Sequence, residues 1–312
     1  MTVVVMSLAE DLYPSRIKNT PEVLPRVDEV VHSRWNAAAP ISKAQTEAFE
    51  RDGFLLIKDV FSGHEVATLQ QEARRLQSAP PEIDFDTVIT EPKSSAVRSV
   101  FKIHEQSAVF ERIAADARLA DIARFFLDDD VYIHQSRLNY KPGFRGEDFY
   151  WHSDFETWHV EDGMPRMRAV SMSVLLSENT TLNGPTMFVP GSHREFIACV
   201  GETPDEHYKQ SLKKQEFGVP DEKIVDGLVA EQGIATPTGP AGSVVIFDCN
   251  TLHGSNSNIT PYSRSNAFFV FNAVSNRLTA PFNGLAPRPD FVAARGGASK
   301  QYSVSDNFSN VA

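Results

Sequence analysis

Three side chains of this sequence have the types and the spacing of a metal site. His152 and Asp154 stand two residues apart in the aromatic-rich segment 149–165, FYWHSDFETWHVEDGMP, and His253 follows about a hundred residues later. If that segment is a strand, its side chains alternate between two faces, so His152 and Asp154 point the same way. Two histidines and one carboxylate, with the other coordination positions open, form the facial triad of non-haem Fe(II) oxygenases. The sequence therefore predicts an iron site at these three residues.

The spacing of His152 and Asp154 does not identify the site by itself. A histidine followed two residues later by an acidic residue occurs three times among the nine histidines. The pairs that begin at His159 and His193 are interpreted as structural. The first pair is favoured by the surroundings of His253, because a strand-like run precedes this histidine and Arg264 opens another such run eleven residues later.

Arg264 and Ser255 suggest what the iron holds. A facial triad leaves three positions of the metal open, of which a 2-oxo acid can chelate two while dioxygen takes the third. The far carboxylate of such a co-substrate needs a cationic partner, and the planar fork of an arginine binds a carboxylate through two hydrogen bonds. Arg264 fits that role, and the Ser255 hydroxyl, two residues after His253, can add a hydrogen bond.

The segment 131–141 has an unusual pattern for a strand. On one of its faces, apolar residues give way to Gln135, Arg137, Asn139 and Lys141. Buried polar groups need partners, so this face either turns to solvent or lines a polar cavity. The second interpretation places Gln135, Asn139 and Lys141 near the molecule that the metal holds.

Aromatic residues surround the predicted ligands. Phe268 lies four residues after Arg264 and therefore on the same face of a strand, and Trp158 is in phase with His152 and Asp154. Such rings suit a small cationic or amidinium substrate through cation–π contact. The same rings are also compatible with plain core packing.

Composition limits the class of protein. A formal net charge of −11 argues against a nucleic-acid partner, which requires a basic surface. Two cysteines make a disulfide framework unexpected and favour a reducing compartment. The first residues, MTVVVMSLAEDLYP, lack the features of a signal peptide, and no apolar run reaches the ~20 residues that span a bilayer. We therefore expect a cytoplasmic protein.

The order of elements predicts one main domain. Residues 1–40 are expected to be an extended N-terminal arm, 41–300 a single domain, and 301–312 a C-terminal tail. Within the domain, the polar insertion 201–235 is either a flap over the active site or a solvated surface helix.

Helical patterns come first along the domain and strand-like runs follow. Helices are predicted from Ser42 to about Arg51, from Ser62 to about Gln77 and from Ser107 to about Leu127, with a loop over 80–95. Strands are predicted at 54–57, 131–141, 149–157, 169–176, 185–190, 243–248 and 263–274. This order indicates a mainly β fold with flanking helices, built on a double-stranded β-helix (jelly-roll, cupin-like) core.

Several motifs of the sequence resemble a known family. The segment 149–165, the turn Val189-Pro-Gly-Ser-His193 and the spacing of Leu252-His-Gly-Ser255 to Arg264 are similar to those of ectoine hydroxylases. These enzymes form part of the phytanoyl-CoA dioxygenase-like branch of Fe(II)/2-oxoglutarate-dependent dioxygenases. The likeness extends from about Ile41 to Arg288.

The resemblance implies hydroxylation of ectoine to 5-hydroxyectoine with Fe(II), 2-oxoglutarate and O2, releasing succinate and CO2. It implies iron ligation by His152, Asp154 and His253. It also implies two groups of binding residues, Arg264, Ser255, Lys141, Asn139 and Phe149 for 2-oxoglutarate and Gln135, Trp158, Thr157, Phe247, Phe268 and Arg288 for ectoine. A homodimer is implied by the likeness alone.

Other functions remain open at this point. One is a related oxygenase acting on another amino-acid derivative or an acyl thioester. Another is a non-redox metal isomerase or an inactive jelly-roll binding module, neither of which would require Arg264. A halogenase is disfavoured, because that chemistry replaces the carboxylate ligand with a small residue and Asp154 is present.

Overall fold

The computed structural model describes residues 11–80, 82–91, 95–204, 206–212 and 216–295. The first ten residues of the predicted arm, residues 296–300 and the predicted tail 301–312 lie outside this part of the chain. Among the described residues, none of the helices combines the length and apolar composition that a membrane crossing requires.

Strands make up the centre of the fold. In chain order they are β1 (Glu22–Pro25), β2 (Phe54–Ile57), β3 (Val88–Thr90), β4 (Val97–Phe101), β5 (Val131–Lys141), β6 (Phe149–His152), β7 (Ala169–Leu175), β8 (Thr186–Phe188), β9 (Glu195–Ala198), β10 (Val244–Asp248), β11 (His253–Ser255) and β12 (Arg264–Ala273). The larger sheet has the order β2-β10-β7-β12-β5-β4-β3, and a smaller sheet has the order β6-β11-β8. All strand neighbours in both sheets are antiparallel.

Helices flank the sheets. They are α1 (Lys43–Asp52), α2 (Gly63–Gln77), α3 (Ile103–Gln106), α4 (Ala108–Ala114), α5 (Ala117–Leu127), α6 (Asp154–Thr157), α7 (Tyr208–Ser211) and α8 (Glu222–Gln232). The predicted starts of α1 and α2 are confirmed, because Ser42 and Ser62 each form a capping box with the residue three positions later. Gly53 ends α1 in the left-handed conformation, with φ at 78°.

The outer face of the larger sheet packs on the helices. Met172, Val244 and Ile246 point to this side and are fully or almost fully buried in one hydrophobic core with helical residues. In that core Phe49 of α1 and Phe126 of α5 stack with ring centroids 4.1 Å apart. Burying such side chains stabilises the fold by about 1.5–3 kcal/mol each.

The inner face of the larger sheet meets the smaller sheet. Val245 and Phe247 alternate with the outward-facing residues of β10 and share a second core with Phe188 of β8. The ring centroids of Phe188 and Phe247 lie 5.2 Å apart, and Phe188 also stacks on Phe54 at 4.9 Å. The prediction of a β-rich jelly-roll core with flanking helices is therefore confirmed.

Three predicted elements are wrong in their bounds. The predicted strand 149–157 ends at His152 and continues as α6 and a π-helical turn, Trp158–Asp162. The predicted helix from Ser107 is two helices, because Asp116 accepts a hydrogen bond from Arg118 N and caps α5. The predicted loop 80–95 contains a 3-10 turn and β3, which pairs with β4.

The described part of the N-terminal arm is docked on the domain. Its residues 22–25 form β1, which pairs with β9 in a two-stranded sheet. Arg26 forms an ion pair with Asp248 at 2.8 Å, and both side chains are almost completely buried. The described part of the arm is therefore held on the domain by buried contacts.

Candidate active site

Strand pairing brings the two predicted histidine ligands together. In the antiparallel pair β6 and β11, His152 lies directly opposite His253. Asp154 is the first residue of α6, and the start of this helix is anchored by a hydrogen bond of 2.8 Å from Phe155 N to Cys249 O. The prediction that His152 and Asp154 share one strand is wrong, since the turn into α6 directs the carboxylate toward the histidines.

The three side chains converge on one point. One ligand atom from each of His152, Asp154 and His253 lies within 4.8 Å of the others. Nε2 of His152 is 3.7 Å from Asp154 Oδ1, and Nε2 of His253 is 3.9 Å from Asp154 Oδ2. All three residues are buried. One small cation can contact all three.

Neighbouring groups fix the orientation of the ligands. Nδ1 of His152 lies 2.8 Å from Tyr150 O and Nδ1 of His253 lies 2.9 Å from Thr251 O, so each Nδ1 carries the proton and each Nε2 keeps a free lone pair. Burial lowers the pKa of both rings, that of His152 to about 3. Ser171 Oγ lies 3.4 Å from Asp154 Oδ2. Two neutral imidazoles and one carboxylate are the donor set that suits a ferrous ion.

Arg264 lines the cavity beside the triad and, within the described part of the chain, has no acidic partner. This arginine is buried, and among the described residues its Nε has no hydrogen-bond partner. With the Asn266 amide oxygen turned toward it, Nη1 donates one hydrogen bond of 2.9 Å. Burial and the neighbouring charge of Arg98 lower the pKa of Arg264 to about 10. The guanidinium is thus a buried cation in the cavity wall whose Nε donor is unused among the described residues.

Ser255 and Asn139 are the next polar groups of the cavity wall. Lys141 Nζ donates to Ser255 Oγ at 2.7 Å and to Asn256 O at 2.6 Å, which leaves the Ser255 hydroxyl proton free. Asn139 Oδ1 accepts from Ser99 Oγ at 3.0 Å, which leaves its amide donors free. Phe149 lines the same cavity, and Arg264 faces Lys141 across the β12–β5 pair.

The same cavity is also lined by Trp158, Thr157, Gln135, Phe268 and Arg288. Gln135 donates to Val292 O at 2.6 Å and accepts a hydrogen bond from Arg137. Arg288 donates to both carboxylate oxygens of Asp162, at 2.7 and 2.6 Å, through Nε and Nη2.

Two predicted binding residues do not line the cavity. Lys141 contacts the site through Ser255, and burial, with the charges of Arg264 and Arg98, lowers its pKa to about 6. Phe247 is buried behind the metal site, where its ring centroid lies 5.0 Å from that of His253. Lys141 therefore contacts Ser255, and Phe247 contacts the iron-ligand candidate His253, without reaching the cavity themselves.

Two cationic residues of the cavity wall, Arg137 and Arg98, were not predicted from the sequence as part of the site. Arg137 was placed on the polar face of β5 but not assigned to the site, although its guanidinium lies over the ring of Phe268 at 4.9 Å. Arg98 pairs with Glu91 at 2.7 Å and lies over the ring of Phe149. The period of two along β5 was a usable signal for Arg137. Arg98 lies on β4, a strand that was not predicted.

Comparison with known proteins agrees with this geometry. Residues 49–266 match the model of the family "Phytanoyl-CoA dioxygenase (PhyH)". The chain is 63% identical over 287 residues to the ectoine dioxygenase of Sphingopyxis alaskensis, covering 92% of this chain and 94% of that protein.

Solved structures of the Sphingopyxis alaskensis protein EctD have the same fold. The structure of EctD with 2-oxoglutarate and 5-hydroxyectoine superposes with a TM-score of 0.86 at 57% identity, covering 94% of this chain and 98% of that one. The structure of EctD with bound Fe gives a TM-score of 0.86 at 56% identity over 95% and 98% of the two chains. The present chain therefore belongs to the phytanoyl-CoA dioxygenase family and, within it, to the ectoine dioxygenases.

Proposed function

We propose that this protein is a 2-oxoglutarate-dependent dioxygenase that uses Fe(II) and O2 to hydroxylate ectoine to 5-hydroxyectoine, an osmoprotective compatible solute. One oxygen atom of O2 enters the product, and the other enters the succinate that forms as 2-oxoglutarate loses CO2. The observation that carries the proposal is the convergence of a two-histidine, one-carboxylate triad with a buried arginine, Arg264, whose Nε has no partner among the described residues, in one cavity.

We assign iron binding to His152, Asp154 and His253. The hydrogen bonds from Nδ1 of both histidines to backbone carbonyl oxygens support this role. Such bonds hold the rings in the orientation that the metal needs and thereby raise its affinity. When bound, the iron supplies the oxidising power for the reaction. The protein contributes ligands, orientation and exclusion of water.

We assign 2-oxoglutarate binding to Arg264, Ser255, Lys141, Asn139 and Phe149. The free donors of Arg264 match the far carboxylate of the co-substrate, and a pair of this kind is bidentate. Lys141 acts indirectly, since it holds the Ser255 oxygen and leaves the hydroxyl proton for the ligand.

We assign ectoine binding to Gln135, Trp158, Thr157, Phe268 and Arg288, with Phe247 in a supporting position. Ectoine carries a delocalised positive charge on its ring and a carboxylate. The faces of Trp158 and Phe268 suit the ring charge. Asp162 occupies Nε and Nη2 of Arg288, so Nη1 is the donor that remains for the substrate carboxylate.

The test is product analysis after a controlled start. Protein, Fe(II), 2-oxoglutarate and ectoine are mixed without oxygen, air is admitted, and 5-hydroxyectoine and succinate are quantified. Equal amounts of the two products are expected. Succinate formation that is no faster with ectoine than without it would contradict the substrate assignment and favour an oxygenase for another amino-acid derivative or an acyl thioester.

A metal-ligand variant tests the site. Asp154→Ala should lose both bound iron and turnover while remaining folded, and the same loss is expected for His152→Ala and His253→Ala. The control is Asp121→Ala on α5, whose side chain is 42% exposed and pairs with Arg124. Full hydroxylation activity in Asp154→Ala would contradict the assignment of Asp154 as an iron ligand.

We also propose that 41–300 act as one catalytic domain, that the insertion 201–235 covers the cavity and that the protein is a cytoplasmic homodimer. Ser211 and Leu212 line the cavity, which supports the role of the insertion. Cys199 and Cys249 are buried free thiols, which suits a reducing compartment. The dimer rests on the family resemblance and is tested by analytical ultracentrifugation.

A further inference from the structure

The segment Asp11–Arg16 of the N-terminal arm packs against the helical stretch 154–162, which combines α6 with the π-helical turn. Asp11 Oδ1 lies 2.8 Å from His159 Nε2. The ring of Tyr13 contacts Phe155 edge to face, with centroids 5.2 Å apart. The arm therefore contacts the same short stretch that supplies one metal ligand and part of the cavity wall.

The guanidinium of Arg16 forms several hydrogen bonds with this helical stretch and with the insertion. Its Nε and Nη2 donate to the two carboxylate oxygens of Glu156 at 2.9 and 2.7 Å, and Nη1 donates to Glu161 at 2.6 Å. Further donors reach Thr203 at 2.9 Å and Thr157 at 3.4 Å. The side chains of Arg16, Glu156 and Glu161 are at most 5% exposed, so this one guanidinium bridges two buried carboxylates.

The insertion closes over this cluster at Gly218. A Cβ atom at this position would lie 2.4 Å from both Arg16 Nη2 and Glu156 Oε2. The φ angle of Gly218 is +65°, a conformation that other residues rarely adopt. The absence of a side chain thus lets the backbone seal the ion pair from water, and sealed pairs are weakly screened.

The cluster continues to the cavity through Arg288. Glu161 Oε2 lies 3.8 Å from Arg288 Nε, while Asp162 holds the same guanidinium by two hydrogen bonds. Both Arg288 and Thr157 line the cavity. Arg16 therefore neutralises the carboxylate that competes with Asp162 for Arg288.

We propose that Arg16 is a positioning residue for substrate binding, which keeps Arg288 and Thr157 in place by holding Glu156 and Glu161 on the outer side of the helical stretch. Without Arg16, Glu161 draws Arg288 away from the cavity. Among the described residues, the contacts of Arg16, Glu156 and Glu161 do not reach Arg264 or Ser255, so the effect is specific to ectoine. This inference rests on ectoine being the substrate.

The test compares ligand binding by Arg16→Met with that of the wild type. Ectoine binding is measured by calorimetry without oxygen on protein loaded with Fe(II) and 2-oxoglutarate, and steady-state kinetics follow in air. The Kd and KM for ectoine should rise on the order of tenfold, while the Kd for 2-oxoglutarate stays within about twofold. Adding Glu161→Gln to Arg16→Met should recover most of the loss, since the competing carboxylate is then neutral.

The matched control is Arg26→Met. Arg26 lies on the same arm and forms a buried, two-hydrogen-bond pair with Asp248, but it does not line the cavity. This variant should lose stability without a change in ectoine affinity. An equal loss of ectoine affinity in Arg26→Met would show a general effect of the arm and overturn the inference.

Other outcomes would also overturn the proposed role of Arg16. An unchanged Kd for ectoine in folded Arg16→Met, or no recovery by Glu161→Gln, overturns it. If Arg16→Met does not fold, Arg16→Lys replaces it, because an ammonium keeps the charge but cannot bridge both carboxylates in the same way. Its Kd for ectoine should rise about threefold, and an unchanged value overturns the inference. Absence of ectoine binding and turnover by the wild type would instead contradict the proposed function.

Discussion

Replacing Arg264 with methionine should have opposite effects on stability and on co-substrate binding. The side chain is buried, and Nε has no partner among the described residues. Burial, with the charge of Arg98, lowers its pKa from 12.5 to about 10. At about 1.4 kcal/mol per pKa unit, the buried charge destabilises the ligand-free protein by about 3 kcal/mol.

The sign of the stability effect follows from this pKa. A base whose pKa is lower in the folded state than in the unfolded state binds fewer protons when folded, so below pH 10 its charge opposes folding. Methionine carries no charge and has a similar length. The free energy of unfolding of ligand-free Arg264→Met should therefore be no lower than that of the wild type at pH 7, and higher by up to about 3 kcal/mol.

Although Arg264→Met should stabilise the ligand-free protein, it should weaken the binding of 2-oxoglutarate. Removing one partner of a buried, hydrogen-bonded charge pair costs about 2–5 kcal/mol, so the KM for 2-oxoglutarate should rise on the order of 100-fold or more. The assays are urea unfolding of the ligand-free protein and steady-state kinetics with varied 2-oxoglutarate. Arg98→Met is the control, because Arg98 has Glu91 as its partner and its removal should destabilise the fold. A destabilised Arg264→Met with an unchanged KM for 2-oxoglutarate would refute the reasoning.

Three further outcomes are expected. Trp158→Leu should retain iron while kcat/KM for ectoine falls roughly tenfold to a hundredfold, as expected for loss of a desolvated cation–π contact, and loss of iron as well would contradict the assigned role. Burial lowers the pKa of Lys141 to about 6, so this residue is neutral at pH 7. A co-substrate carboxylate bound at Arg264 should raise that pKa, so that 2-oxoglutarate binding is accompanied by proton uptake. Calorimetry in buffers of different ionisation enthalpy should detect this uptake in the wild type and not in Lys141→Met. Ser62→Ala removes the cap of α2 and should lower the free energy of unfolding by about 1 kcal/mol in urea titrations without changing the KM for ectoine.

The elements that local signals define were predictable from the sequence. The capping boxes at Ser42 and Ser62 and the long strands β5 and β12 depend on neighbouring residues and on a regular period, and the structure has them where expected. That His152 and His253 bind the same metal was inferred from residue types, since no local pattern encodes a contact across a hundred positions.

The segment after His152 shows where periodicity fails. Its aromatic and acidic residues were interpreted as a continuous strand, yet α6 and a π-helical turn follow. A strand would have placed Asp154 and Trp158 on one face by a period of two. In the structure both reach the cavity from a helical stretch, because contacts with the arm and the loop at Cys249 determine its conformation. Tertiary contacts of this kind override local preference.

Other parts of the site left no local signal. Arg98 lies on a five-residue strand, and its place in the site depends on a contact with Phe149, about fifty positions away. Arg16 meets Glu156 across 140 positions, and nothing in the sequence around it distinguishes it from a surface arginine. Such pairings depend on how the arm docks, which the sequence pattern does not specify.

Because His152 and His253 lie opposite each other on paired strands, an iron ion held by both would link β6 to β11 in the smaller sheet. An ion that binds the folded site but not the unfolded segment stabilises the folded site by a free energy that grows with the logarithm of the ion concentration. Chelation of the metal should then loosen β6 and β11 before the helix-backed larger sheet. Metal status and local unfolding of the three-stranded sheet are thus thermodynamically linked, so iron starvation would expose this region first to proteases.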